Sequence, residues 1–216
     1  MKKKLFIFDF DGTLMDAYQA IWETLLYTLN KLGYPPVDFE TAKRAVGYGD
    51  KNYIPRFFRP EDVEQASKIY REYHLKSLDG RVKLLPGAKE LLKKLKEDGR
   101  LVAIASNRPF ESGDLIIKKL GIKEYLDTAI FGDQVNNQKP DPEMVLKLLD
   151  LFQVEKEKAV FIGDMDIDVY TGKKAGVDTI VVPTGSSTIE ELKKANPSML
   201  CNSLFDVLEL VNKNLI

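Results

Sequence analysis

A handful of short segments hold most of the side chains able to do chemistry. The first is Asp9-Phe10-Asp11-Gly12-Thr13, directly after the apolar run Leu5-Phe6-Ile7-Phe8. Two carboxylates one residue apart at the end of a strand repel each other unless a cation sits between them, which points to a metal-dependent site. The others are Ser106-Asn107-Arg108, Lys139-Pro140 and Gly163-Asp164-Met165-Asp166-Ile167-Asp168. Carboxylate oxygens are hard ligands suited to magnesium, and a hydroxyl and an ammonium suit the oxygens of a phosphoryl group.

Each segment follows a short apolar run. Leu5 to Phe8, Leu101 to Ala105, Thr128 to Phe131, Ala159 to Ile162 and Thr179 to Val182 lack polar alternation, as strands covered on both faces do. Between them, Ala88 to Lys96, Leu115 to Leu120, Pro142 to Phe152 and Asp168 to Ala175 repeat apolar residues at helical spacing. Gly99, Gly121 and Gly176 each follow such a stretch, where a left-handed helix stop belongs. The alternation predicts an α/β fold, a doubly wound parallel sheet with a Rossmann-like core. Ligands of such sheets bind outside the carboxyl ends of the strands, so the chemical segments converge on one edge.

Between about Asp16 and Val82 the rhythm changes. Long helical patterns, Ala20 to Lys31 and Pro60 to Leu78, are separated by apparent loops at Gly33 to Asp38 and Gly47 to Asn52. This predicts a small helical domain at residues 16–82, inserted into a core of residues 1–15 and 83–216. Trp22, Leu25, Leu26 and Leu29 read as its core. His74, among Tyr, Lys and Arg, reads as an exposed residue of one of its helices.

Composition narrows the function classes. The chain has 216 residues, 44% hydrophobic and 30% charged, enough for a sizeable core. Its 32 basic and 33 acidic residues nearly cancel, so no global field draws nucleic acid or an anionic membrane. Cys201 is the single cysteine, which excludes an intrachain disulfide and fits a reducing compartment. The apolar run after Lys2-Lys3-Lys4 stops at Asp9, too short for a signal peptide, and the expectation is a cytoplasmic protein.

In this order the segments resemble those of the haloacid dehalogenase-like hydrolase superfamily, over essentially the whole chain, and the resemblance implies that the helical insertion at residues 16–82 is the family's cap domain. The motifs read DFDGTLMD, SNRP, KP within NNQKPDPEMV, and GDMDIDVYTGKKAG. The resemblance implies that Asp9 is a nucleophile forming an aspartyl-phosphate, and that Asp11 protonates the leaving alkoxide and then activates water. It implies Mg²⁺ held by Asp9, the backbone carbonyl of Asp11 and Asp164, with Asp168 orienting metal-bound water. Ser106 and Lys139 would bind the phosphoryl oxygens, Asn107 would add a donor, and Gly12 would permit close backbone approach. Taken singly, the same residues suit turns, and Asp168 suits a helix N-cap. Asp166 is extra to the family spacing and reads as a surface or outer-shell residue.

Branches of the superfamily divide on single residues. Asp11 argues for phosphate esters, because the dehalogenases and phosphonate hydrolases lack that carboxylate. Sugar-phosphate mutases with this cap usually carry a histidine near the position of Ile21. Phosphoglycolate phosphatases are more similar, with Asn-Lys-Pro where this chain has Asn107-Arg108-Pro109, a loop like Val46-Gly47-Tyr48-Gly49, and Pro86-Gly87. The resulting expectation is a Mg²⁺-dependent phosphatase of a small phosphate monoester, phosphoglycolate first. A mutase such as β-phosphoglucomutase, a pyrophosphatase and a non-catalytic phosphoryl switch are the alternatives. Tyr48, Asp50, Lys51, Asn52 and Arg56 are the candidates for the substrate's leaving group, with Lys51 or Arg56 suited to a carboxylate, and Arg108 is a further substrate-binding candidate.

Overall fold

The four residues of the first strand are fully buried, so this strand must lie inside the sheet. The structure, a computed structural model, describes residues 2–216. The first part of the chain runs β1 (Leu5–Phe8), β2 (Met15–Asp16), α1 (Tyr18–Lys31), α2 (Phe39–Arg44), α3 (Asp50–Tyr53), α4 (Val63–Ser77) and β3 (Lys83–Leu84). It continues with α5 (Ala88–Glu97), β4 (Leu101–Ser106), α6 (Phe110–Leu120), β5 (Thr128–Phe131), α7 (Glu143–Phe152), β6 (Ala159–Gly163) and α8 (Asp166–Ala175). The last elements are β7 (Asp178–Val181), α9 (Ile189–Ala195), β8 (Met199–Leu200) and α10 (Leu204–Asn212).

The main sheet has the order β5-β4-β1-β6-β7-β8, parallel throughout, as the strand-and-helix alternation predicts. Alternate residues face opposite layers. Phe6, Phe8, Val102, Ile104, Val160 and Ile162 meet α5, α6 and α10, and Leu5, Ile7, Ala103 and Phe161 meet α7. Register then fixes the site: Phe8 lies opposite both Ile104 and Ile162, and the Asp9 amide donates to Ile162 at 2.8 Å. Asp9 is therefore held between the ends of β4 and β6, where Ser106 and Asp164 emerge.

Between β2 and β3 lie α1 to α4. The two strands pair antiparallel, Met15 with Leu84 and Asp16 with Lys83, so this ribbon joins the points where the chain leaves the sheet and returns to it. α1 and α4 pack through stacked Tyr27 and Tyr73 rings, 3.8 Å apart, and through the Thr24 and Ser77 hydroxyls. Several expected boundaries change, and α6, for one, begins at Phe110 instead of Leu115. Pro60 to Leu78 is divided into a 3-10 turn at Pro60–Asp62 and α4, and the loop expected at Gly47 to Asn52 ends in the short helix α3. Neither piece spans enough turns to show helical periodicity. Among the described residues, no helix is long and apolar enough to cross a membrane.

Gly113 of α6 marks a close approach of a helix to the sheet, since a Cβ there would overlap the Phe131 ring at the end of β5. Gly113→Ala is expected to destabilise the fold by about 1–3 kcal/mol through overpacking. Urea unfolding of the variant beside the parent measures it.

Candidate active site

Lys139 arrives at the strand ends from the loop after β5, and its ammonium lies between two carboxylates. It donates to Asp9 Oδ1 at 2.7 Å and to Asp168 Oδ1 at 2.8 Å, with all three side chains buried. Asn107 places it. The Asn107 amide accepts from Lys139 N at 2.8 Å and donates to Lys139 O and Gly47 O, each at 3.0 Å. The expected phosphate donor thus spends its amide on the Lys139 backbone and on the loop before α3. Ser106 is buried beside them, its Oγ accepting from Arg108 N at 3.3 Å.

Asp164 completes the acidic group. Oxygens of Asp9, Asp164 and Asp168 lie within 4.8 Å of one another. Asp168, the third residue of α8, also accepts from the amides of Asp164 and Met165, so it braces the helix start while pairing with Lys139. Asp164 Oδ1 accepts from Thr13 at 2.7 Å, whereas Oδ2 is buried with no hydrogen-bond partner. Side chains at Gly12 (φ +84) or Gly185 would overlap Asp164, so both glycines keep its surroundings open. A buried, orphaned carboxylate oxygen within a cluster of hard oxygens fits Mg²⁺.

The electrostatics agree. Burial pushes the Asp9 carboxyl up to about 6 against the opposing pull of Lys139. Burial, then Asp9 and Asp168, push Asp164 well above the usual carboxylate range. Burial alone would lower the Lys139 ammonium, but Asp168 and Asp9 outweigh it and raise it. One cation thus faces three buried carboxylates, and a further cation relieves the repulsion.

The Asp11 carboxylate lies apart from this group. Arg108 grips it with both edges of a fork, Nε to Oδ2 at 2.8 Å and Nη2 to Oδ1 at 2.5 Å. Arg108 Nη1 points to His74 Nε2 at 2.8 Å and to Ser112 Oγ at 3.3 Å. Because a guanidinium only donates, His74 Nε2 accepts, and the ring proton sits on Nδ1, 3.2 Å from Thr24 Oγ1. Burial and then Arg108 lower the His74 imidazole well below its ordinary range, which keeps it neutral.

His74 is therefore not the exposed residue its neighbours suggest, but 5% exposed. The face that buries it carries Ala66, Tyr70 and Ser77 at helical spacing, and all are buried against the rest of the fold. That spacing was legible; the local charge density masked it.

A cavity of about 50 Å³ lies over Asp9, Asp11, Ser106 and Arg108 and is roofed by Ile21, Asp50, Tyr53, Tyr70 and His74. Asp50 is the one predicted leaving-group residue from the loop before α3 that lines it. Tyr48, Lys51, Asn52 and Arg56 do not: Arg56 lies over the Tyr48 ring at 5.0 Å, and Asn52 donates back to Tyr48 O. Lys51 faces a second, outer cavity of about 200 Å³ with Arg71, Glu111 and Asp133. The short helix α3 turns Tyr53 inward and Lys51 outward, a turn the sequence pattern did not show. Asp166 is half-buried at the start of α8 and outside the acidic cluster. Thr13, Tyr53, Tyr70 and Ser112 are site residues that sequence reasoning missed; Thr13 alone had a signal, its place in the first motif.

The family model of haloacid dehalogenase-like hydrolases matches residues 6–182. A phosphoglycolate phosphatase from Aquifex aeolicus is 28% identical over 217 residues, covering 99% of each chain. The pyrophosphatase PpaX of Halalkalibacterium halodurans is 29% identical and covers 95% of each. Among solved structures, a haloacid dehalogenase-like family hydrolase from Streptococcus pneumoniae superposes with a TM-score of 0.88 at 22% identity, covering 97% of this chain and 98% of that one.

If the buried negative charge is what a metal relieves, Asp164→Asn should raise the melting temperature of metal-free protein by about 3 °C or more. The same substitution should remove the stabilisation that added Mg²⁺ gives the parent. Thermal melts of both proteins, with EDTA and with Mg²⁺, measure the two effects.

Proposed function

The chain belongs to the haloacid dehalogenase-like hydrolase family, and on that premise we propose that it is a Mg²⁺-dependent phosphatase of a small phosphate monoester, working through an aspartyl-phosphate. The observation that carries the reading is Lys139 between Asp9 and Asp168, with Ser106 beside them. An anionic nucleophile attacks an anionic phosphoryl group only where nearby positive charge offsets both.

In this reading Asp9 attacks phosphorus and the leaving alcohol departs with a proton from Asp11. Asp11 then takes a proton from the water that cleaves the aspartyl-phosphate. Ser106 and Lys139 hold the phosphoryl oxygens. Asn107 acts through Lys139, whose backbone it fixes at both the amide and the carbonyl. Mg²⁺ would be held by Asp9, Asp164 and the Asp11 carbonyl, and when bound it supplies positive charge to the phosphoryl oxygens. Asp168 holds Lys139 in place and buttresses the Asp164 turn.

The helices at residues 16–82 form a cap over the core of 1–15 and 83–216. Gly47 to Asn107, His74 to Arg108 and the Arg44 to Glu191 pair at 2.7 Å bridge the two. The cap excludes water from the cavity, and the β2 and β3 ribbon is its hinge. Ile21 lines the cavity where the mutases of this family usually have histidine, which favours hydrolysis over phosphoryl return. Relatives named for phosphoglycolate and for pyrophosphate make both compounds members of the substrate panel.

Phosphate release from that panel should require Mg²⁺ and stop with EDTA. Asp9→Asn should lower kcat by at least about a thousandfold while the protein stays folded. Asp11→Asn should cost about 10²–10⁴ in kcat with alkyl phosphates; with para-nitrophenyl phosphate, whose leaving group needs no proton, it should give a burst of para-nitrophenol followed by slow turnover limited by hydrolysis of the aspartyl-phosphate. Appreciable Asp9→Asn turnover would exclude covalent catalysis through Asp9.

A further inference from the structure

The roof of the inner cavity offers an anion no free cation. Among the described residues Arg108 is the one cationic side chain lining it, and its fork is closed on Asp11 while Nη1 serves His74 and Ser112. The fully buried face of the guanidinium is thus already matched by a carboxylate. Across the cavity stands a second carboxylate, Asp50, at the junction of the inner and outer cavities. Its nearest cationic partner is Arg71, at 3.5 Å and mostly exposed, a weak tie. With His74 neutral, the charge around the leaving group is Asp11 and Asp50 against Arg108. Tyr53, one turn beyond Asp50, adds a buried hydroxyl without a hydrogen-bond partner.

The phosphoryl group shares this cavity of about 50 Å³, which reaches from Asp9 and Ser106 to Asp50 and Tyr53, so a leaving group there is small. A carboxylate or second phosphate placed there meets Asp50 and Asp11 with no open cation. A hydroxyl can donate to Asp50, whose one ion-pair contact is the long one to Arg71, and accept from Tyr53, whose hydroxyl has no partner. Resting on the phosphatase reading above, we propose that the cavity selects an uncharged, hydroxyl-bearing alcohol as leaving group, so that the substrate is a small polyol monophosphate, and that Asp50 sets this choice. The chain then differs in substrate from its relatives named for phosphoglycolate and pyrophosphate.

A matched pair of esters tests it. 2-Hydroxyethyl phosphate and phosphoglycolate differ in a hydroxymethyl group against a carboxylate, at nearly equal size. The parent enzyme should favour 2-hydroxyethyl phosphate in kcat/KM by at least tenfold, and Asp50→Asn should cut that ratio at least tenfold by relieving the carboxylate. Calorimetric binding of both esters to Asp9→Asn protein with Mg²⁺ should give the same order without turnover. Equal or better use of phosphoglycolate by the parent, or a ratio unmoved in Asp50→Asn, overturns the proposal. Failure to release phosphate even from para-nitrophenyl phosphate would count against the phosphatase reading instead, and the binding order would still decide the selectivity.

Discussion

Everything at the carboxyl edge of the sheet depends on one buried ammonium. Lys139 touches Asp9 from the end of β1 and Asp168 from the first turn of α8. Removing such a cation would leave carboxylates from two strand ends unpaired in a site of low dielectric, where repulsion is least screened. Asn107 fixes the Lys139 backbone at both ends, so a residue of the second motif sets the position of the third. The balance is deliberately incomplete: Asp164 Oδ2 has no partner, and the residual charge is what a divalent cation answers.

A second ionic centre joins the helical part of the chain to that edge. Arg108 follows directly on β4, yet reaches His74 of α4 and, through it, Thr24 of α1. Its guanidinium is buried, and burial alone would disfavour its charge; the Asp11 carboxylate more than restores it. Lysine at this position could not divide three nitrogens among Asp11, His74 and Ser112, because an ammonium is a single point of charge. The helices between β2 and β3 meet the core through this contact, so their position is coupled to the Asp11 carboxylate that Arg108 grips.

Much of the core was legible from local pattern. The parallel sheet follows from uninterrupted apolar runs, which are stable as strands when both faces are covered, and helices with leucine and valine at helical spacing supply the covers. Asp9, Ser106, Lys139, Asp164 and Asp168 were readable together because each stands at the end of such a run or in the loop or helix start that follows it, and parallel strands bring their carboxyl ends to one edge. The helices between β2 and β3 were legible as helices but not as a surface. Lys51 and Arg56 were expected near the leaving group because they are cationic and in the right loop, whereas α3 rotates them away and turns Tyr53 inward. His74 was misread for the reverse reason: its charged neighbours Arg71, Glu72 and Lys76 point outward while it points in with Tyr70 and Ser77.

What the sequence determined by itself is the set of candidate reacting groups and the edge on which they gather, because apolar runs a few residues long make the strands, and parallel strands share one carboxyl edge. The tertiary structure decided how charge is shared among them. It pairs Asp11 with Arg108 instead of with the acidic cluster, leaves Asp164 Oδ2 open, and sets Asp50 against a roof without a free cation. Such choices depend on distances of a few ångströms between residues far apart in the chain. Coulomb and hydrogen-bond energies change steeply over that range, and no local pattern encodes it.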